Sequence, residues 1–210
     1  MKKVMLIGDS IRMNYQSVVE KELSGEYSVW GPYENCRFAK YTLVELQRYI
    51  VAFSKNEKEK NENIDQAKIT PTIDKTDDVI YPDIIHWNNG LWDTGVTYEE
   101  DGPLTPIDEY IRDMSIILRE LRKMTDKIIF ATITPVKSGT HQDNDIIKEY
   151  NNRIIEFMKS ENVFINDLGA LVSENMDEYI SEDKIHLSET GKIACGKAVA
   201  DIIRKVDKEG

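Results

Sequence analysis

The 210-residue sequence is poor in cysteine, histidine and basic charge, and it has no long apolar run. Its two cysteines, Cys36 and Cys195, are far apart and form no metal or redox motif, so they read as reduced thiols. No stretch approaches the roughly 20 apolar residues of a membrane-spanning helix. The start is also short of a secretory leader, because Met1-Lys2-Lys3 is followed only by Val4-Met5-Leu6-Ile7 before Gly8. The expectation is a cytoplasmic protein without membrane partners. Basic residues are outnumbered 27 to 38, for a net charge of −11. That deficit removes the basic footprint of a nucleic-acid binder and the attraction to anionic lipid. Internal repeats are lacking too. The length suits a single domain over 1–210 that buries its core without staples. Nothing in the pattern points to an oligomeric state.

What is present alternates. Short apolar runs at Lys2–Ile7, Tyr27–Trp30, Pro82–Trp87, Lys127–Ile133 and Val163–Ile165 read as strands. Between them, apolar residues recur at helical spacing: Ile11, Tyr15, Val18, Val19 and Leu23; then Leu43, Leu46, Tyr49, Ile50 and Phe53. Ile107, Ile111, Met114, Leu118 and Leu121 form a third set, and Ile146, Ile147, Tyr150, Ile154, Phe157 and Met158 a fourth. A last helix carries Ile193, Ala194, Ala198, Ile202 and Ile203, with Ser188 placed to cap it. Strands alternating with helices predict an α/β protein, a three-layer α/β/α sandwich around a five-stranded parallel sheet. A polar insertion at about 54–80, of mixed charge, reads as a solvated helix end or loop before the third strand.

Chemistry concentrates at three places. Gly8-Asp9-Ser10 follows the first strand and opens the first helix, which would expose a serine at the carboxyl edge of the sheet beside unpaired helix N–H groups. Asp183 and His186, three residues apart, supply a base and a carboxylate to orient it. Asn88 ends the third strand, on the same edge, in Asn88-Asn89-Gly90. Each has a plainer reading: Gly-Asp-Ser and Asn-Gly are ordinary turns, and a lone histidine is more often structural. Their joint placement, after strand one, after strand three and before the last helix, favours a site.

Those blocks resemble the SGNH (GDSL-type) hydrolase family: Gly8-Asp9-Ser10 matches its first block and Asp183-x-x-His186 its last. His86-Trp87-Asn88-Asn89 fills the slot of its G-x-N-D block, with His86 in place of the glycine and Asn89 in place of the aspartate. The resemblance implies a flavodoxin-like fold, a Ser10–His186–Asp183 triad and an acyl-enzyme, with no cofactor and no metal. It implies an oxyanion hole of the Ser10 N–H, the Asn88 amide and a loop N–H that the family takes from a glycine. No glycine stands between Glu34 and Thr42, which leaves Asn35–Ala39 to supply that donor. Activity is expected to fall in acid as the imidazole base is protonated.

The candidate substrate-binding residues are Asp9, Arg37, Trp87, Asn89 and Trp92. Arg37 suits an anionic group or a plain surface position, and Trp87 and Trp92 suit pocket walls or core packing. His141 reads as an exposed loop residue, with a substrate contact as the alternative. Trp87, Trp92 and Tyr98 would stack on a sugar, so the partner expected is a small-molecule or glycan ester with a short acyl group, acetyl, and the reaction is hydrolysis. An acyltransferase with the same residues, a metal-dependent phosphoesterase and a catalytically silent carbohydrate-binding domain are the alternatives.

Overall fold

The structure, a computed structural model, describes residues 1–62, 79–98 and 101–209. Five parallel strands form one sheet in the order β2-β1-β3-β4-β5, made of β1 (Lys2–Gly8), β2 (Tyr27–Trp30), β3 (Ile84–Asn88), β4 (Ile128–Ala131) and β5 (Phe164–Asn166). Val4, Met5, Leu6 and Ile7 of β1 are all fully buried, as a strand covered on both faces requires.

Helix α1 (Ser10–Glu22) connects β1 to β2, α2 (Ala39–Glu62) connects β2 to β3, α3 (Ile107–Leu121) connects β3 to β4 and α4 (Asn144–Ser160) connects β4 to β5. The step from β1 to β2 runs one way along the sheet and the later steps run the other. Right-handed crossovers therefore put α1 on one face and α2, α3 and α4 on the other. The packing agrees: α1 lies against the last helix, α7 (Glu189–Glu209), while α3 lies against both α2 and α4. This is the expected three-layer α/β fold. The chain reverses direction between β1 and β3, and in open α/β sheets the crevice beyond that point is where ligands bind.

Local chemistry explains the helix ends. Asp9 caps α1 by accepting from the Ile11 N–H at 2.9 Å, and Asp143 caps α4 by accepting from Asp145. Ser188 accepts from the Gly191 N–H in the first turn of α7. Two short helices, α5 (Leu168–Glu174) and α6 (Met176–Tyr179), occupy a stretch whose sequence pattern is too brief to announce them.

The polar insertion begins as a helix end, one of the two readings of its sequence, but this end is partly buried. Helix α2 continues through its first residues to Glu62, and Ser54 and Glu57 are buried. The Glu57 carboxylate accepts from Ser28 Oγ at 2.8 Å and from Lys60 Nζ at 2.9 Å, so its charge is met inside the fold. The rest of the insertion, 63–78, lies outside the described residues. Cys36 and Cys195 are free and buried, and burial pushes the Cys195 thiol up to about 12. No described helix is long and apolar enough to cross a membrane.

Candidate active site

Ser10 is the first residue of α1, so its N–H is one of the helix's unpaired donors. Its hydroxyl lies 2.9 Å from His186 Nε2, and His186 Nδ1 lies 2.8 Å from Asp183 Oδ2. An ionised carboxylate only accepts, so Nδ1 carries the proton, Nε2 is the acceptor and the Ser10 O–H donates to it.

The loop that carries His186 is built to hold it. Ile180 and Leu187 form an antiparallel bridge, and the Ser181 N–H donates to the His186 carbonyl at 2.8 Å. Lys184, at φ 74°, makes the tight reversal. Asp183 Oδ1 accepts from the Ile185 N–H at 3.0 Å, the His186 N–H at 2.8 Å and Ser181 Oγ at 2.8 Å. Those N–H donors, Ile185 first and then His186, hold its carboxyl well below the usual range. Leu187 N–H donates to Asn14 Oδ1 at 3.0 Å. Asn14 stands one turn after Ser10 on the same helix face, so one helix both carries Ser10 and anchors the loop of His186. Asn14 carries no motif that would single it out in the sequence.

Asn88 ends β3 beside Gly8 of β1. Its Nδ2 donates to Asp9 Oδ1 at 2.9 Å and its Oδ1 accepts from Tyr15 Oη at 3.1 Å. An amide nitrogen carries two hydrogens, and Asp9 takes one. Of the five loop residues proposed as donors, Cys36 N–H goes to the Gly8 carbonyl, Arg37 N–H to Asn35 Oδ1 and Ala39 N–H to the Asp93 carboxylate. Of the five, the N–H groups of Asn35 and Phe38 are the ones left to serve as the expected donor, and Asn35 lines the cleft at Ser10.

This cleft, about 490 Å³, is walled by Leu91, Trp92, Leu104 and Ile185, with His141 and Gln142 among its polar groups. Trp92 is 40% exposed on it. The wall is two loops joined: the Val96 N–H donates to the His141 carbonyl at 2.6 Å, and Gly95 bridges to Gln142. Asp93 fastens that wall to the start of α2 by accepting from the Ala39 N–H at 3.1 Å, and burial raises its carboxyl to about 7.

Four of the candidate substrate contacts take other places. Trp87 is wholly buried, edge-on to Phe130 in the core, because β3 is covered on both faces. Asn89 is buried as well, accepting from Trp87 Nε1 and Thr42 Oγ1 and donating to the Arg37 carbonyl. It ties β3 to the loop before α2. Asp9 is buried as the α1 cap, and burial raises its carboxyl to about 6. Arg37, at φ 50°, is exposed over the Tyr41 ring and away from the cleft lining. Trp92 alone of the five lines the cleft. His141 is exposed in its loop, as expected, and lines the cleft too. Among the described residues no group of three or more His, Cys, Asp or Glu is arranged to hold a metal ion.

No protein-family model matches the sequence, and no curated protein matches it significantly. Solved structures do share its fold. A lipase/acylhydrolase from Enterococcus faecalis superposes with a TM-score of 0.74 at 18% identity, covering 98% of this chain and 96% of its own. An acetyl xylan esterase, AlAXEase, gives 0.71 at 16% identity over 96% of this chain and 99% of its own. An acetylxylan esterase from Geobacillus stearothermophilus gives 0.67 at 15% identity over 98% and 94%. The chain therefore has, over nearly its whole length, the fold of these structures.

Proposed function

We propose that this protein is a serine carboxylester hydrolase that removes a short acyl group, acetyl, from a carbohydrate. The observation that carries the reading is the continuous hydrogen-bond line from Ser10 Oγ through both nitrogens of His186 to Asp183, with links of 2.9 and 2.8 Å. The fold shared with acylhydrolases and acetyl xylan esterases supports it.

In this reading Ser10 Oγ attacks the ester carbonyl carbon while its proton passes to His186 Nε2. Asp183 holds the imidazole tautomer and stabilises the imidazolium. The tetrahedral oxyanion accepts from the Ser10 N–H, the second Asn88 amide hydrogen and a loop N–H of Asn35 or Phe38. Collapse expels the sugar alkoxide, which takes the proton from Nε2. Water, deprotonated by the same nitrogen, then attacks the acyl-enzyme, releasing the carboxylic acid and restoring the Ser10 hydroxyl. The uncharged polar groups and Trp92 of the cleft suit a sugar, whose hydroxyls and apolar ring face match them.

The test is hydrolysis of p-nitrophenyl acetate by the native protein and by Ser10→Ala, each with and without chelator, followed by acetylated xylo-oligosaccharides. Chelator-resistant activity that disappears in Ser10→Ala is expected. Equal activity in the two proteins would overturn the nucleophile, and a preference for chains of eight or more carbons would overturn the acetyl assignment.

A further inference from the structure

Behind Asn88 lies a line of buried polar groups that the proposed reaction does not use directly. Asn166, at the end of β5, places Nδ2 3.1 Å from His86 Nε2. His86 Nδ1 lies 3.4 Å from Tyr15 Oη, and Tyr15 Oη lies 3.1 Å from Asn88 Oδ1. His86 and Tyr15 are both fully buried, their rings edge to face.

We infer that Tyr15 and His86 are positioning residues that, anchored by Asn166, hold the Asn88 carboxamide with its amino edge towards Asp9 and the Ser10 turn. The inference rests on the esterase reading above. Hydrogen counting carries it. The Asn166 amino group has only hydrogens to offer, so His86 Nε2 is an acceptor without a proton. Burial pushes the imidazole down to about 3, so it is neutral and its single proton sits on Nδ1. That N–H donates to the Tyr15 oxygen, and the phenolic O–H donates in turn to Asn88 Oδ1. The Asn88 amino group then faces Asp9 Oδ1 at 2.9 Å. His86, Tyr15 and Asn88 each give one hydrogen along the line and take one. The 3.4 Å link is the longest and weakest.

Running the line the other way turns the Asn88 carbonyl oxygen towards Asp9, which then needs a proton to meet it. It also turns a lone pair, in place of N–H, towards the developing oxyanion, where it repels. With Asp9 ionised, one direction satisfies every group. Buried amides left without such a partner pay for their desolvation, which makes the orientation a property of the whole line.

Tyr15→Phe keeps the ring and removes the hydroxyl. The expected result is a kcat lower by ~10-fold or more with KM within about twofold, since a transition-state donor is misplaced while substrate contacts stay. Tyr15→Phe combined with Asn88→Ala is expected to be no slower than Asn88→Ala alone, because both act through one group. Nitrogen-15 NMR of the native protein is expected to show His86 as the Nδ1–H tautomer between about pH 7 and about pH 9, where Asp9 is ionised. A native kcat in Tyr15→Phe, additive losses in the double variant, or an Nε2–H tautomer would each overturn the inference. If Tyr15→Phe does not fold, the tautomer decides alone. The two readings fail separately: ester hydrolysis surviving Ser10→Ala removes the reaction itself, whereas an inactive Ser10→Ala beside an unimpaired Tyr15→Phe removes only the positioning role.

Discussion

Gly8 and Asn88 are register partners across β1 and β3, and the Asn88 carboxamide lies over the Gly8 Cα. A Cβ at Gly8 would stand 2.7 Å from Asn88 Cγ and 2.8 Å from Arg12 Cβ, closer than real atoms approach. The glycine before Asp9 is thus a space requirement of the proposed oxyanion donor. Gly8→Ala is expected to push Asn88 aside, lowering kcat by ~10-fold or more and stability by about 1–3 kcal/mol. Thermal melts and steady-state rates check this together. An unchanged Tm with native kcat would show that the carboxamide has room to spare.

Asp183 accepts four hydrogen bonds, three on Oδ1 and the His186 Nδ1–H on Oδ2. Asp183→Asn keeps the shape and removes the charge that holds the imidazole tautomer. The expected loss is ~10³- to 10⁴-fold in kcat with little change in KM. The folded carboxyl is depressed below its unfolded value, so its stabilising contribution is present above about pH 4 and is lost as pH falls further. The side chain is 52% exposed, so that contribution is small and the kinetic loss is the decisive readout.

The parallel fold is legible because each strand is a short apolar run and each helix an amphipathic one. Two of the three motif positions are legible for a related reason: Ser10 lies two residues past the end of β1 and Asn88 ends β3, and parallel strands bring those ends to one edge. Side-chain direction is not legible in the same way. A strand buried on both faces shows no alternation, so nothing in Ile84–Asn88 says that Trp87 faces the core. Glu57 looks like solvent-facing polarity until Lys60, one turn on, and Ser28, on β2, are seen to meet it. The pairing of His86 with Tyr15 and Asn166 joins residues up to 80 positions apart, beyond the reach of any local pattern. Asp9 and Asn89 are polar for the backbone and side chains they tie together, and polarity alone does not separate that role from contact with a substrate.

Asp93 is a buried carboxylate that accepts from the Ala39 N–H and is bonded to the Thr105 side chain, and an amide can meet both, its oxygen accepting from Ala39 and its N–H donating to the Thr105 hydroxyl. Burial raises it to about 7, above the unfolded value of about 3.9. The folded state therefore binds the proton more tightly than the unfolded chain, and this group costs stability as pH rises from about 4 to 7, at most about 1.4 kcal/mol per pH unit. Asp93→Asn is expected to raise Tm by an amount that grows over that window and levels off above it. Melts at a series of pH values check the shape. A gain that shrinks as pH rises would mean that the ionised carboxylate stabilises the start of α2 more than its burial costs.

Trp92 is the exposed aromatic of the Ser10 cleft, on a wall fastened by Asp93 and by the bridge from Gly95 to Gln142. In the carbohydrate reading its ring packs on the apolar face of a sugar, away from the reacting carbonyl. Such a contact is made equally in the ground and transition states, so its loss weakens binding and leaves the chemical step intact. Trp92→Ala is accordingly expected to raise KM for an acetylated xylo-oligosaccharide by about 3- to 10-fold, from a contact worth about 0.5–1.5 kcal/mol, with kcat nearly unchanged. Hydrolysis of p-nitrophenyl acetate, which has no sugar to stack, is the control and should change much less. Equal losses on both substrates would place Trp92 in the packing of the cleft wall, and an unchanged KM on the oligosaccharide would remove it from sugar recognition altogether.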